Sequence, residues 1–276
     1  MAKLCARLAW LLPVALFSED ALAWGLCTHI YFSQLLIWAI PLADPRFRRA
    51  VARLPELMLA GACLPDVSLF SKHVGAAALG TTHQWSAAQR LLAAAHDDES
   101  RALALGYASH LLADIIAHNH FVPAHERIWF DHPVITHAAC EWVMDAHIMP
   151  HLLSRPADLM RRHGARIVEY AAEQFGCSRS ASRLALGCLK HGEALLRSSH
   201  LPQVLLRSTR ALDCHLMRRL NWYVAETAGR LGQINRLLDG EAPVWRAEID
   251  DTHPAPGCSH GLPAAVFGRA LPQDFF

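Results

Sequence analysis

Apolar residues recur at helical spacing along nearly the whole chain, and alternating apolar and polar runs of strand type are absent. The pattern predicts helices over 28–40, 45–60, 86–95, 100–121, 132–153, 157–175, 180–196 and 204–238. Segment 28–40 is apolar on most faces, whereas 45–60 is amphipathic and ends at Gly61. Ser86 is placed to cap the helix it precedes, and Pro133 suits a first helical turn. Segment 61–82 is rich in Gly and Ala, holds Pro65, and reads as a long loop. From Asp239 onward, Pro243, Pro254, Pro256, Pro263 and Pro272 predict an irregular tail over 239–276. The expected fold class is all-α. A helical core over 24–155 would be joined by extra C-terminal helices over 156–238 that pack on it. No internal repeat is found.

The first 23 residues read as a targeting segment and not as fold. Lys3 and Arg7 give a positive start, 8–17 is an apolar stretch, and Ala21-Leu22-Ala23 is a small-x-small cleavage site. The expectation is a signal peptide over 1–23 and an exported protein, periplasmic or secreted. The apolar stretch is too short to span a bilayer, and the later apolar run 30–40 ends at Pro41. No transmembrane segment is therefore expected after cleavage. Cleavage after Ala23 would leave Trp24 first, with a free α-amino group. Seven cysteines would remain, namely Cys27, Cys63, Cys140, Cys177, Cys188, Cys214 and Cys258. There is no CxxC, so a structural zinc site built of thiolates is not expected. Several cysteines fall on apolar helical stretches, where a buried thiol is the ordinary reading.

Composition adds two constraints. With 276 residues, 53% hydrophobic and 18% charged, the chain has ample material for a core. Its formal net charge of +1 argues against a basic nucleic-acid footprint, so no stable nucleic-acid partner is expected. Histidine is the outlier. There are 18, and 11 of them lie between His73 and His151.

That cluster carries the candidate chemistry. His110, Asp114 and His118 stand at i, i+4 and i+8, on one face of the expected 100–121 helix. Their neighbours Leu111, Leu112, Ala113, Ile115, Ile116 and Ala117 are apolar. Unpaired imidazole and carboxylate would be costly there, and a metal ion resolves the cost. His120 follows two residues later and becomes a candidate if the helix unwinds before Pro123. The next helix repeats the device with His137 and Glu141 at i, i+4, and with Asp145 one turn further as an ambiguous member. Facing helices of this kind are how bundles build multinuclear metal sites. Asp66, after Leu64-Pro65, supplies a carboxylate from the loop, and His73 and His83 lie in and just after the Gly-rich stretch.

These residues resemble the zinc-dependent phospholipase C superfamily, which is related to zinc-dependent single-strand nucleases. The matching text is Ala23-Trp24-Gly25-x-x-Thr28-His29, Gly61-Ala62-Cys63-Leu64-Pro65-Asp66, Thr82-His83-Gln84-Trp85, His110-x3-Asp114 with His118-Asn119-His120, and His137-x3-Glu141. The pieces occur in family order over about 24–145. The resemblance implies an all-α fold with three zinc ions. It implies that the Trp24 amino and carbonyl groups, His29, Asp66, His83, His110, Asp114, His118 or His120, His137 and Glu141 are the ligands. The family pattern and Trp85 favour His83 over His73. The family's phospholipases place the last histidine six residues after the aspartate with a proline between. That proline is missing here, so His118 and His120 both stay open. The implied activity is metal-assisted phosphodiester hydrolysis of a phospholipid head group, with Asp66 as general base. The alternatives are a single-strand nuclease of the same architecture and a non-catalytic metal-binding helical protein. The segment 157–238 reads as helices where the family's toxins carry a β-sandwich.

Overall fold

The computed structural model describes residues 25–129, 133–241 and 243. The expected signal peptide, Trp24, Cys258 and nearly all of the expected tail lie outside the described residues. The described residues form an all-α fold without strands. The helices are α1 (Leu26–Trp38), α2 (Pro45–Arg53), α3 (Pro55–Gly61), α4 (Trp85–Ala94), α5 (Asp98–Ile116), α6 (Val122–Ile128) and α7 (Pro133–Ile148). They are followed by α8 (Pro156–Phe175), α9 (Arg179–Ser198), α10 (Leu201–Leu212), α11 (Leu216–Arg230) and α12 (Ile234–Leu238). None is long and apolar enough to cross a membrane.

Helix α5 is the axis of the molecule. Every residue from Ala102 to Ile116 is buried, and α1, α2, α3, α4 and α11 all pack against it. It begins two residues earlier than expected, because Asp97 caps it. The Asp97 carboxylate accepts from the Ser100 amide at 2.7 Å, and the Ser100 hydroxyl accepts from the Asp97 amide at 3.2 Å. Two glycines set how close α3 comes. A Cβ at Gly106 would lie 1.9 Å from the Met58 carbonyl oxygen, and one at Gly61 would lie 2.5 Å from that of Leu103. The backbones therefore touch, which only glycine permits. One cluster of buried side chains runs from Leu26 in α1 to Leu237 in α12.

Several expected elements are subdivided. The single helix over 45–60 is broken at Leu54, whose φ of −132° and ψ of 51° are not helical. Pro55 disfavours the helical conformation for the residue before it and restarts the chain as α3. The expected 61–82 loop holds two 3₁₀ segments, Pro65–Phe70 and Ala77–Thr81. The expected Ser86 cap is not seen; α4 starts at Trp85 after an extended Gln84 with no side-chain cap. The helix over 204–238 is interrupted at Asp213, which accepts from the His215 amide and pairs with buried Arg219.

Candidate metal centre

Three helices and one 3₁₀ turn bring the candidate donors together: His29 from α1, Asp66 from Pro65–Phe70, His110 and Asp114 from α5, and His137 and Glu141 from α7. His83 joins them just before α4. Asp114 stands at the middle, fully buried. Its Oδ1 lies 3.3 Å from His29 Nε2, while its Oδ2 lies 3.1 Å from His110 Nε2 and 3.8 Å from His83 Nε2. Asp66 Oδ1 lies 3.5 Å from the Nε2 atoms of both His83 and His110. His29, Asp66 and His110 offer donor atoms all within 4.8 Å of one another, and so do His83, His110 and Asp114. The two oxygens of Asp114 thus face two different sets of imidazoles.

A second cluster adjoins the first. His137 Nε2 lies 3.4 Å from Glu141 Oε1, one helical turn along α7. The His118 ring stands edge-on to that of His137, with centroids 5.4 Å apart. His118 comes from a π-helical turn, Ala117–Phe121, closed by the Val122 amide on the Ala117 carbonyl. On a regular α-helix each i, i+4 step overshoots a full turn by about 40°. A turn bonded i to i+5 winds less per residue and keeps His118 on the Asp114 side. The chain does not unwind before Pro123; α6 continues directly, with Pro123 in its first turn.

The remaining candidates are placed elsewhere. His120 lies 6.3 Å from Trp222 and 6.1 Å from Tyr223, ring to ring, and burial lowers its pKa to about 4. His73 is exposed, whereas His83 is buried. Asp145 faces the amino end of α1. It accepts from the Thr28 amide at 2.9 Å and the Thr28 hydroxyl at 2.8 Å, and from Arg197 Nη2 at 2.7 Å.

Supporting contacts orient the imidazoles. His110 Nδ1 donates to the Ala62 carbonyl at 2.8 Å, which leaves Nε2 as the lone-pair nitrogen facing Asp66 and Asp114. The close passage at Gly61 and Gly106 is what brings that carbonyl within reach. His83 Nδ1 has the Ser68 and Thr82 hydroxyls at 3.4 and 3.5 Å. Thr82 is itself tied to the Pro65 carbonyl at 2.7 Å, and Tyr107 donates to the Thr82 carbonyl. The His29 and His110 rings stack at 3.4 Å. Most of these supports were not visible as a motif, since they join distant segments through a backbone carbonyl, a hydroxyl or a ring stack.

The electrostatics of the metal-free site are unfavourable. Burial raises the Asp114 carboxyl above its ordinary value, partly opposed by His110. Burial pushes Glu141 well up, and Asp66, Asp145 and Asp114 add to it. Burial holds His118 well below the usual imidazole range, and His137 is lowered to about 4 by the same cause. Both Asp114 oxygens, His110 Nε2, His137 Nε2 and Glu141 Oε1 are buried and make no hydrogen bond of good geometry. Buried polar atoms in that state are rare and costly. Ionised carboxylates and neutral imidazoles are the donors that a divalent metal requires, and this nitrogen and oxygen set suits zinc. The six described cysteines are unbridged, and none belongs to these donor groups.

No curated protein and no solved structure gives a significant match. The family model described as zinc dependent phospholipase C matches residues 28–181, more than half of the chain, and the chain belongs to that family.

Proposed function

We propose that the protein is an exported phosphodiester hydrolase of the phospholipase C type, acting on phospholipid head groups with three zinc ions. The observation that carries this reading is the placement of Asp114, whose two buried oxygens face separate imidazole sets. One ion would be held by His29 and Asp114, with the Trp24 amino and carbonyl groups of the processed chain. A second would be held by Asp66, His83, His110 and Asp114, and a third by His118, His137 and Glu141. When bound, zinc would supply Lewis acidity here, lowering the pKa of water towards neutrality and drawing charge off phosphoryl oxygens.

The chain's own residues divide the remaining work. His29, His110 and Asp114 have no exposed side-chain surface, so they form the floor. Asp66, His137 and Glu141 retain 9%, 15% and 7% side-chain exposure and form the edge that substrate can approach. Asp66 is both donor and edge residue, which places its carboxylate to accept the proton of the attacking water. Burial among apolar helices lowers the local dielectric and strengthens attraction for a phosphodiester anion. The near-neutral net charge favours a lipid head group over a nucleic-acid strand, which needs a basic groove.

The test is to prepare the chain beginning at Trp24, count bound zinc, and assay phosphatidylcholine against single-stranded DNA. Three ions with lipid hydrolysis support the proposal. Cleavage of DNA alone would make the protein a nuclease of this architecture. Fewer than two tightly bound ions would remove the hydrolase reading.

A further inference from the structure

The amino end of α1 is held by a buried ionic cluster that the metal site does not use. Asp145 from α7 accepts from the Thr28 amide and hydroxyl and, at 3.4 Å, from the Cys27 amide. It satisfies backbone donors that a helix leaves open in its first turn. Arg197 from α9 donates to Asp145 at 2.7 Å and lies 2.9 Å from Glu193. Glu193 in turn accepts from the Cys27 thiol at 3.7 Å. Asp145 is fully buried, Glu193 is 7% exposed, and the Arg197 side chain is 15% exposed. The fit at this point is tight. A Cβ on Gly25 would lie 2.3 Å from Asp145 Oδ2, so the carboxylate occupies the space a side chain would take.

The location gives the cluster its meaning. Thr28 immediately precedes His29, whose own amide donates to the Gly25 carbonyl at 3.2 Å. Asp145 stands one turn after Glu141 on α7. The cluster therefore ties the backbone that carries His29 to the helix that carries His137 and Glu141. Its other two members come from residues 193 and 197, beyond the segment matched by the family. A purely structural ion pair would serve stability poorly here, since burying three charged groups costs about as much as their attraction returns.

We propose that Asp145, Arg197 and Glu193 form a positioning assembly for the amino-terminal part of the metal site. It fixes the backbone of Gly25–Thr28 so that His29 meets Asp114 before any ion binds. The inference rests on the metal reading above. It also gives helix α9 a role in the site: α9 supplies the guanidinium that holds the Asp145 carboxylate aimed at α1.

The test uses the full processed chain, stripped of metal and titrated with zinc alone against a chromophoric chelator. Asp145→Asn and Arg197→Gln should each lower the affinity for one ion by about 10–100-fold, as loss of an outer ligand contact does, and leave the other ions at wild-type affinity. Gly25→Ala should do the same, while Thr28→Ser keeps wild-type binding and Thr28→Val does not. A metal-free readout accompanies it. In Asp145→Asn, amide hydrogen exchange at Cys27, Thr28 and His29 should quicken at least tenfold, with α8 amides unchanged. Wild-type zinc affinities in all steps for both variants would overturn the proposal, as would faster exchange spread evenly over every helix. Absence of zinc binding by the wild-type chain would instead bring down the metal reading itself.

Discussion

Replacing Asp114 by Asn should reverse sign with metal. In the metal-free protein Asp114 is a liability, because its carboxylate is fully buried and neither oxygen makes a hydrogen bond of good geometry. Burial raises its pKa, so the folded state binds a proton more readily than the unfolded chain does. The stability it contributes is present below the ordinary carboxylate range and is lost as pH rises through the raised folded value. At neutral pH, metal-free Asp114→Asn should therefore be as stable as wild type or more stable, by up to about 2 kcal/mol. Zinc inverts the order. The proposed bridging role removes two ions at once, and an ion present at a hundredfold over its Kd stabilises by about 2.7 kcal/mol. Wild type should then gain about 5 kcal/mol that the variant does not, which for a domain of this size is about 10–20 °C in Tm. Calorimetry with a chelator and again with excess zinc reads both halves. Equal zinc-induced shifts in the two proteins would refute the bridging role, and a metal-free variant much less stable than wild type would refute the cost assigned to the buried carboxylate.

Other outcomes follow from single contacts. His118→Ala should bind one zinc fewer than wild type, whereas His120→Ala should keep the wild-type count; elemental analysis of the two variants decides between the histidines. Gly106→Ala places a Cβ 1.9 Å from the Met58 carbonyl oxygen, so α3 must move away from α5. Metal-free denaturant unfolding should show a loss of about 1–3 kcal/mol or more, and an unchanged midpoint would contradict the close helix contact. His125 is fully buried, and its pKa falls to about 4, chiefly through burial, from an ordinary value of 6.5. A depressed imidazole contributes stability above its unfolded pKa and loses it on acidification. Lowering the pH from 6.5 to about 4 should therefore cost about 3 kcal/mol in wild type. His125→Gln keeps an acceptor for Arg219 Nε and should flatten that part of the pH profile; an unaltered profile would exclude His125 as its source.

The parts of the site that lie within one helix were readable, because i, i+4 spacing fixes which side chains share a face. His110 with Asp114, and His137 with Glu141, are of this kind. The same rule could not separate His118 from His120. It assumes regular α pitch, and the chain winds as a π-turn at 117–121. Asp145 stays ambiguous in the sequence for a related reason: spacing places it on the Glu141 face but says nothing of what lies opposite. Its partners Thr28 and Arg197 are 117 and 52 residues away, and only packing reveals them. All-helical character was legible from apolar periodicity, whereas the breaks at Leu54 and Asp213 depend on single-residue conformation. The short 3₁₀ turns within 61–82 have no periodic signature, although they deliver Asp66 to the centre.

Diffraction from crystals of the zinc-loaded chain at the zinc absorption edge addresses the metal assignment directly. Three anomalous peaks are expected. One should lie between His29 and Asp114, one among Asp66, His83, His110 and Asp114, and one among His118, His137 and Glu141. A single peak, or none within bonding reach of Asp114, would contradict the account and leave those buried donors without an explanation.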